Sequence, residues 1–433
     1  MDSKQKLHVL QEFHLKDLKK AFLVGVHPSG GNKGISDEQL EELQRLCDSF
    51  GIGVVGSISC PIKKLDAGTY IGKGKIEEIL EKVNELGADI LIFDDEISPH
   101  QQKNLEGLFQ RPVIDRTELI IEVFAQRAQT REAKLQIELA KIRYQFPRLK
   151  RLWTHLSRQS SSGGAYVKGE GEKQIEIDRR LLRRKVEQLK KEIEEVVAHR
   201  QTQRVARKRS GIPTFAIVGY TNAGKSTLMN ALTEADVLVE DKLFATLDTT
   251  TRKFVLPNHQ EVLLIDTVGF IRKIPHTLVA AFKSTLEEAV FTDLLIHLID
   301  VSHPLAEEHA EATYQVLKEL GAADRPVITV LNKVDACENP SMLAKLRIKY
   351  PKTVCISALK KEGLDLLIQQ MIEELSKLRK VVRLKVPQSE YALVSQLMRE
   401  GKVLESDYEE NDIFLTVEIP LQMEHKVKDF LRL

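Results

Sequence analysis

Cysteine is scarce in this 433-residue chain, and the four present, Cys47, Cys60, Cys337 and Cys355, form no Cys-x-x-Cys pair. That spacing excludes a disulfide framework and the usual zinc sites, so reduced thiols in a cytosol are expected. No apolar run approaches the ~20 residues that a membrane-spanning helix needs. Residues 1–20 are polar and charged rather than signal-like. Internal repeats and low-complexity tracts are missing as well. So is an excess of one charge: 64 lysines and arginines meet 63 acidic residues, a formal net charge of +1. What is present suits a water-exposed multidomain protein. A hydrophobic fraction of 42% over this length fills two or three cores rather than one.

The near-zero net charge conceals an asymmetry. Residues 141–210 hold 20 basic and 8 acidic residues, a net of +12, which leaves −11 for the remainder. A basic block of that size is the electrostatic footprint of a polyanion partner.

The chemistry is concentrated further along. Gly219-Tyr220-Thr221-Asn222-Ala223-Gly224-Lys225-Ser226 fits the phosphate-loop pattern, between an apolar strand at 215–218 and a helix opening at 227–232. Its glycines let backbone N–H groups close on a phosphate, Lys225 can reach the β- and γ-phosphate oxygens, and the Ser226 hydroxyl can ligate Mg²⁺. Asp266-Thr267-Val268-Gly269 ends a second apolar strand. There Asp266 can hold the Mg²⁺ hydration shell, and the Gly269 N–H can meet the γ-phosphate. Asn332-Lys333-Val334-Asp335 follows the apolar run 327–331 and marks the base as guanine. The Asp335 carboxylate can accept two hydrogen bonds from guanine, a pair that adenine cannot supply, at a cost of roughly 1–3 kcal/mol or more against ATP. Ser357-Ala358-Leu359 comes after a short strand at 353–356, where backbone N–H groups would meet the base oxygen. In this order, the four elements specify a GTP site.

Between the phosphate loop and Asp266 lies the polar stretch Phe244-Ala245-Thr246-Leu247-Asp248-Thr249-Thr250-Thr251-Arg252, where the first switch should sit. One threonine should complete the Mg²⁺ shell, and spacing leaves Thr246, Thr249, Thr250 and Thr251 open. Phe270 follows Gly269, where many GTPases carry a glutamine that orients the attacking water. A phenyl ring cannot do that. Unaided hydrolysis should be slow and completed by a partner, by a conformational change or by another group.

Phe244-Ala245-Thr246-Leu247-Asp248, Asp266-Thr267-Val268-Gly269-Phe270 and Thr69-Tyr70-Ile71-Gly72-Lys73-Gly74-Lys75 together resemble the HflX family of ribosome-associated GTPases. So do Phe93-Asp94-Asp95-Glu96, Asp115-Arg116-Thr117 and Gln174-Ile175-Glu176-Ile177-Asp178-Arg179-Arg180. The likeness runs from about residue 21 to the end of the chain. It implies Thr246 as the Mg²⁺-sensing threonine. Lys225, Thr246 and Gly269 become the catalytic set, and Ser226, Thr246 and Asp266 the metal set. Asn222 stands where related GTPases hold K⁺, so K⁺ stimulation is expected. The resemblance also implies a monomer that binds the 50S ribosomal subunit and its rRNA without inserting into a membrane. It would be cytoplasmic, with peripheral attachment to ribosomes or membrane, and would split or recycle stalled ribosomes. One motif departs from the family: its linker usually reads Arg-Gly-Pro-Gly-Glu, whereas this chain has Lys168-Gly169-Glu170-Gly171-Glu172. Losing the proline should loosen that loop.

Four regions are expected. Residues 1–115 alternate apolar runs (22–26, 54–58, 90–93, 113–114) with helical stretches (38–50, 75–86), the signature of a parallel α/β sheet. Residues 116–209 should form an antiparallel helical hairpin. Leu135, Leu139, Ile142 and Phe146 would zip against Leu182, Val186, Leu189, Ile193 and Val196, with a flexible tip at 158–174. Residues 210–380 form the P-loop GTPase domain. Residues 381–433 make a small α+β unit, since Val382, Leu384 and Val386 alternate with Arg383 and Lys385. Gly72-Lys73-Gly74-Lys75 before a helix could be an anion nest. That is the basis of an alternative, a ribosome-assembly or RNA-remodelling factor with a second nucleotide site, for ATP.

Overall fold

A computed structural model of the protein describes residues 18–30, 33–149, 168–209, 212–233, 243–244, 249–273, 290–322, 324–350, 352–377, 379–409, 411–420 and 423–431. The chain divides into two compact units. The first holds Met1–Glu195, Glu240–Asp248 and Arg272–Lys283; the second holds Val196–Val239, Thr249–Ile271 and Ser284–Leu433.

In the first unit β1 (Lys20–Pro28), α1 (Lys33–Phe50), β2 (Gly53–Ile62), α2 (Lys73–Leu86), β3 (Ile90–Phe93), α3 (Pro99–Phe109) and β4 (Val113–Asp115) alternate as the apolar runs require. The sheet is parallel throughout, in the order β2-β1-β3-β4. Local chemistry sets the helix ends. Gly87 closes α2 at φ 62°, with its N–H on the Val83 carbonyl. Ser98 and Gln101 form a reciprocal capping box ahead of Pro99. Phe22, Val24, Ile58, Ile79, Leu91, Phe93 and Leu105 fill one core. Because the chain leaves β1 in one direction and β3 in the other, the carboxyl ends of these two strands flank a topological switch point.

Asp115 caps the next helix, α4 (Arg116–Arg127), and Thr130 caps α5 (Arg131–Gln145). The basic block then forms α6 (Lys168–Arg209). Arg131 pairs with Glu192 at 3.7 Å and Glu138 with Lys185 at 3.1 Å, while Arg183 lies over the Phe146 ring. Positions ascend on α5 as they descend on α6, so the two helices run antiparallel. Leu135, Leu139, Ile142, Leu182 and Leu189 are buried in the seam. One expectation needs correction: residues 168–174 were assigned to a flexible tip, but the helix already begins at Lys168. Without the family's proline nothing forbids helical φ/ψ there. The rest of the expected tip, 158–167, lies outside the described residues.

The second unit contains β5 (Thr214–Gly219), α7 (Lys225–Thr233), β6 (Thr250–Val255), β7 (Glu261–Asp266), β8 (Leu294–Asp300), α8 (Ala306–Glu319), β9 (Val327–Asn332), α9 (Pro340–Lys349), β10 (Thr353–Cys355) and α10 (Leu364–Lys377). The sheet order is β10-β9-β8-β5-β7-β6, with only β6 antiparallel to its neighbour. A separate antiparallel sheet, β11-β13-β12, is built from β11 (Arg379–Pro387), β12 (Lys402–Glu409) and β13 (Asp412–Pro420), with α11 (Tyr391–Glu400) and α12 (Glu424–Val427). Val382, Leu384 and Val386 enter its core, as their alternation implies. Among the described residues no helix is long and apolar enough to cross a membrane.

Candidate nucleotide site

The phosphate loop joins β5 to α7 at the centre of the six-stranded sheet. Its glycines are required by close approach. A β-carbon on Gly219 would collide with the Leu298 carbonyl, and one on Gly224, at φ 93°, would lie 2.5 Å from Asn332 Nδ2. Asn222 also takes the left-handed region, at φ 60°. Lys225 is buried, and its Nζ donates to the Gly219 and Tyr220 carbonyls at 3.3 and 2.8 Å. Burial lowers its pKa to about 8, against the opposing pull of Asp266. Ser226 Oγ lies 2.7 Å from Asp266 Oδ2, so the serine expected on the metal and the carboxylate expected beside it are adjacent.

Asp266 ends β7, and Thr267 Oγ1 donates to the Ile217 carbonyl at 2.7 Å. Beyond the buried Val268, Gly269 is packed against the loop. A β-carbon there would be 2.8 Å from Thr221 Cα and 2.9 Å from Lys225 Nζ. Phe270 is stitched to the loop through its backbone: its N–H donates to Gly219 O at 3.0 Å, and its carbonyl accepts the Thr221 N–H at 2.7 Å. The phenyl ring is only 1% exposed. It is a core residue and presents no polar group.

On the base side, Asn332 ends β9 and acts as a clasp. Its Nδ2 donates to the Ala223 carbonyl at 2.8 Å and its Oδ1 accepts the Ala358 N–H at 3.0 Å. Lys333 takes φ 63° and pairs with Asp300 at 2.7 Å, and the Val334 N–H donates to Ile356 O. The Asp335 carboxyl is held below the ordinary carboxylate range, chiefly by the Ser357 hydroxyl, with Lys360 3.5 Å away. Ser357 is buried and hydrogen-bonds Glu362 through both backbone groups, whereas Leu359 projects outward.

The site thus gathers Gly219, Tyr220, Thr221, Asn222, Ala223, Gly224, Lys225, Ser226, Asp266, Thr267, Val268 and Gly269 at one end and Asn332, Lys333, Val334, Asp335, Ser357, Ala358 and Leu359 at the other. Ala245, Thr246, Leu247 and Asp248 lie outside the described residues. Phe244 belongs to the first unit, where its ring meets Phe124 edge-on at 4.4 Å. Of the other threonines considered, Thr250 and Thr251 belong to β6, opposite Asp266 and Ile265. The glycine-lysine motif does not assemble into a nest, since neither Gly72 nor Gly74 takes a positive φ and Lys75 is engaged by Glu78 at 2.7 Å. Sequence reasoning missed the clasp by Asn332 and the stacking of Tyr220 on His309, 3.7 Å between centroids. Neither leaves a local pattern, because both join residues far apart in the chain.

Comparison with known proteins agrees with this geometry. Three family models match in succession: "GTP-binding GTPase N-terminal" over residues 37–125, "GTP-binding GTPase Middle Region" over 127–207 and "50S ribosome-binding GTPase" over 214–333. GTPase HflX of Chlamydia pneumoniae is 48% identical over 96% of this chain and 89% of its own length. GTPase HflX of Escherichia coli K12 is 42% identical over 89% and 90%. Among solved structures, a GTP-binding protein from Sulfolobus solfataricus in complex with GDP is 28% identical, covering 83% of this chain and 100% of that one at a TM-score of 0.44. With the P-loop fold and similarity along nearly its whole length, the chain belongs to the HflX family of GTPases.

Proposed function

We propose that this GTPase binds the large (50S) ribosomal subunit and its rRNA, that the subunit completes the catalytic site, and that the cycle splits or recycles stalled ribosomes. The observation that carries the reading is Phe270, a buried ring with both backbone groups committed to the phosphate loop. It offers nothing to orient water, so of the partner, conformational change or other group that could supply this contribution, our reading takes the partner. The "50S ribosome-binding GTPase" match and the basic block at 141–210 support the choice of partner.

In this reading Lys225 exchanges its two carbonyl acceptors for phosphate oxygens, which restore its full charge. The Gly269 N–H meets the γ-phosphate, and Asp335 with the 357–359 loop reads guanine. The paired oxygens of Ser226 and Asp266 fit Mg²⁺, a hard cation that takes oxygen ligands, and Thr246 would complete the protein's share of the shell. Bound there, Mg²⁺ would neutralise charge developing on the phosphates. Asn222 is the K⁺ ligand of this scheme, to be tested by exchanging K⁺ for Na⁺ in turnover assays. Residues 210–380 carry the chemistry, 116–209 the ribosome-facing hairpin, and 381–433 a docking or stabilising role. The protein acts as a cytoplasmic monomer. Light scattering of intact 70S ribosomes after adding protein and GTP tests the outcome. A fall in scattering is expected, whereas unchanged scattering with retained subunit binding would favour an assembly role.

A further inference from the structure

The connection from β8 to α8 carries none of the nucleotide-binding motifs, yet it braces the site at both ends. On the base side the Asp300 carboxylate holds the Lys333 amine at 2.7 Å, and the Val301 N–H donates to the Asn332 carbonyl at 3.1 Å. On the phosphate side the His309 ring lies flat on the Tyr220 ring, with 3.7 Å between centroids and 5° between planes. His303 backs His309 at 4.5 Å. Its Nδ1 accepts the Leu305 N–H and its carbonyl accepts the Ala306 N–H, both at 3.1 Å, so this ring is fixed to the first turn of α8. Three rings thus connect the start of α8 to the phosphate loop, all within the second unit.

Tyr220 is the loop residue at which such a brace has most effect. It is buried, and its carbonyl accepts both the Lys225 amine at 2.8 Å and the Ala223 N–H at 3.3 Å. Its neighbours Gly219 and Thr221 make the two backbone bonds to Phe270. Fixing the Tyr220 ring therefore fixes the backbone from which the loop turns through Asn222, at φ 60°, and Gly224, at φ 93°. A loop released from the stack would populate other conformers, and nucleotide would bind only the fraction that keeps the competent one. We infer that His309 is a positioning residue: by stacking on Tyr220 it holds the phosphate loop in its binding form before nucleotide arrives. The inference rests on the assignment of residues 219–226 to the phosphates. The N–H groups of such a loop cradle the α- and β-phosphates, which GDP and GTP share, so the brace should serve both nucleotides equally.

The test is calorimetric titration of the full chain with GDP and with a non-hydrolysable GTP analogue, for the parent, His309→Ala, His309→Leu, His309→Phe and Lys225→Ala. His309→Ala should weaken both nucleotides by the same factor, roughly three- to tenfold, the worth of one aromatic pair. Alanine suits this half-buried helix position, and His309→Leu, apolar but not flat, should weaken binding likewise. His309→Phe restores a flat ring without the imidazole nitrogens and should return both affinities to within about twofold of the parent. A residue that merely braced the fold would lower the melting temperature and leave affinity unchanged in the folded protein, a result that overturns the inference. So does a loss confined to the GTP analogue, which would place the effect at the γ-phosphate. A folded His309→Phe that binds as weakly as His309→Ala overturns it too, since the nitrogens rather than the ring would then act. Lys225→Ala separates the two levels of failure: undiminished binding there would overturn the phosphate-site assignment itself, and the inference with it.

Discussion

The two large sheets of this protein are both parallel α/β structures, yet their carboxyl edges serve opposite ends. In the second unit the edge is stripped of side chains where phosphate would lie: Gly219, Gly224 and Gly269 have no room for a β-carbon, and one lysine is buried among carbonyls. In the first unit the corresponding edge is filled from within. Asp94 holds Arg116 and Arg272, and Asp115 holds Arg148 at 3.3 Å. The second-unit edge keeps room for the phosphate proposed there, whereas the first-unit edge satisfies its own charges within the unit. One topology supports both, and only the residues at the strand ends distinguish them.

The largest effect that would sharpen this contrast is in the first unit's edge. Arg148 bonds Gln102, the Tyr144 and Ile97 carbonyls and Asp115, so Arg148→Met leaves a fully buried carboxylate without its cationic partner, held by the Glu118 and Ile97 N–H groups. Urea unfolding should show a loss of ~3–5 kcal/mol at neutral pH. Burial already pushes Asp115 up to about 6 despite Arg148, and removing that cation raises it further, so the loss should shrink as the pH falls toward 6 and level off below it, where the carboxyl is protonated in both proteins. Affinity for GTP should be unchanged in the folded fraction; a stable variant would show that the network carries little. In the binding edge, Ser226→Ala should lower GTP turnover by ~10²-fold or more with unfolding unaltered. Normal turnover would show that the metal is held elsewhere. Asp335→Asn should cost ~1–3 kcal/mol of GTP affinity and raise relative affinity for xanthosine triphosphate, whose carbonyl suits the amide donor. Unaltered GTP binding would remove Asp335 from base recognition.

The two edges also differ in how far the sequence reveals them. Phosphate and guanine chemistry tolerates few residue sets, so Lys225, Ser226, Asp266 and Asp335 could be proposed before any coordinates, and the structure brings Ser226 and Asp266 within 2.7 Å; the strands were legible from their apolar runs. The first unit's ion cluster could not. Arg272 meets Asp94 and Glu42 at separations of 178 and 230 residues, which no local period encodes. Asn332 was read only as part of the guanine motif, yet it clasps two loops. Around Lys168 the error was local: glycine suggested a loop, but two glycines among good helix formers do not end a helix.

Smaller effects belong to the basic hairpin and the second core. Arg180 and Arg184 are exposed on α6, whereas Arg183 lies over Phe146, so the first two are the cleaner probes. Neutralising both should weaken 50S binding and reduce the slope of its salt dependence by ~1–2. An unchanged slope would take this face out of the ribosome contact. His297 is fully buried between Tyr314 and Tyr350, and burial lowers its pKa from 6.5 to about 3. In the unfolded chain it takes up a proton below pH 6.5, but in the fold it does not until about pH 3. Stability is therefore complete above 6.5 and is lost progressively as the pH falls, by ~1 kcal/mol at pH 6. His297→Phe should flatten that part of the profile, and an identical slope would assign it to other groups.

The central claim is that a nucleotide site lacking a water-orienting side chain is completed by the large ribosomal subunit. GTP turnover of the purified protein, at saturating nucleotide, with and without purified 50S subunits, tests it most directly. The account predicts slow turnover alone and an increase of ~10-fold or more with subunits, consistent with the kcat gains that supplied catalytic groups bring to GTPases. Equal rates in the two conditions, with binding to the subunits confirmed, would contradict it.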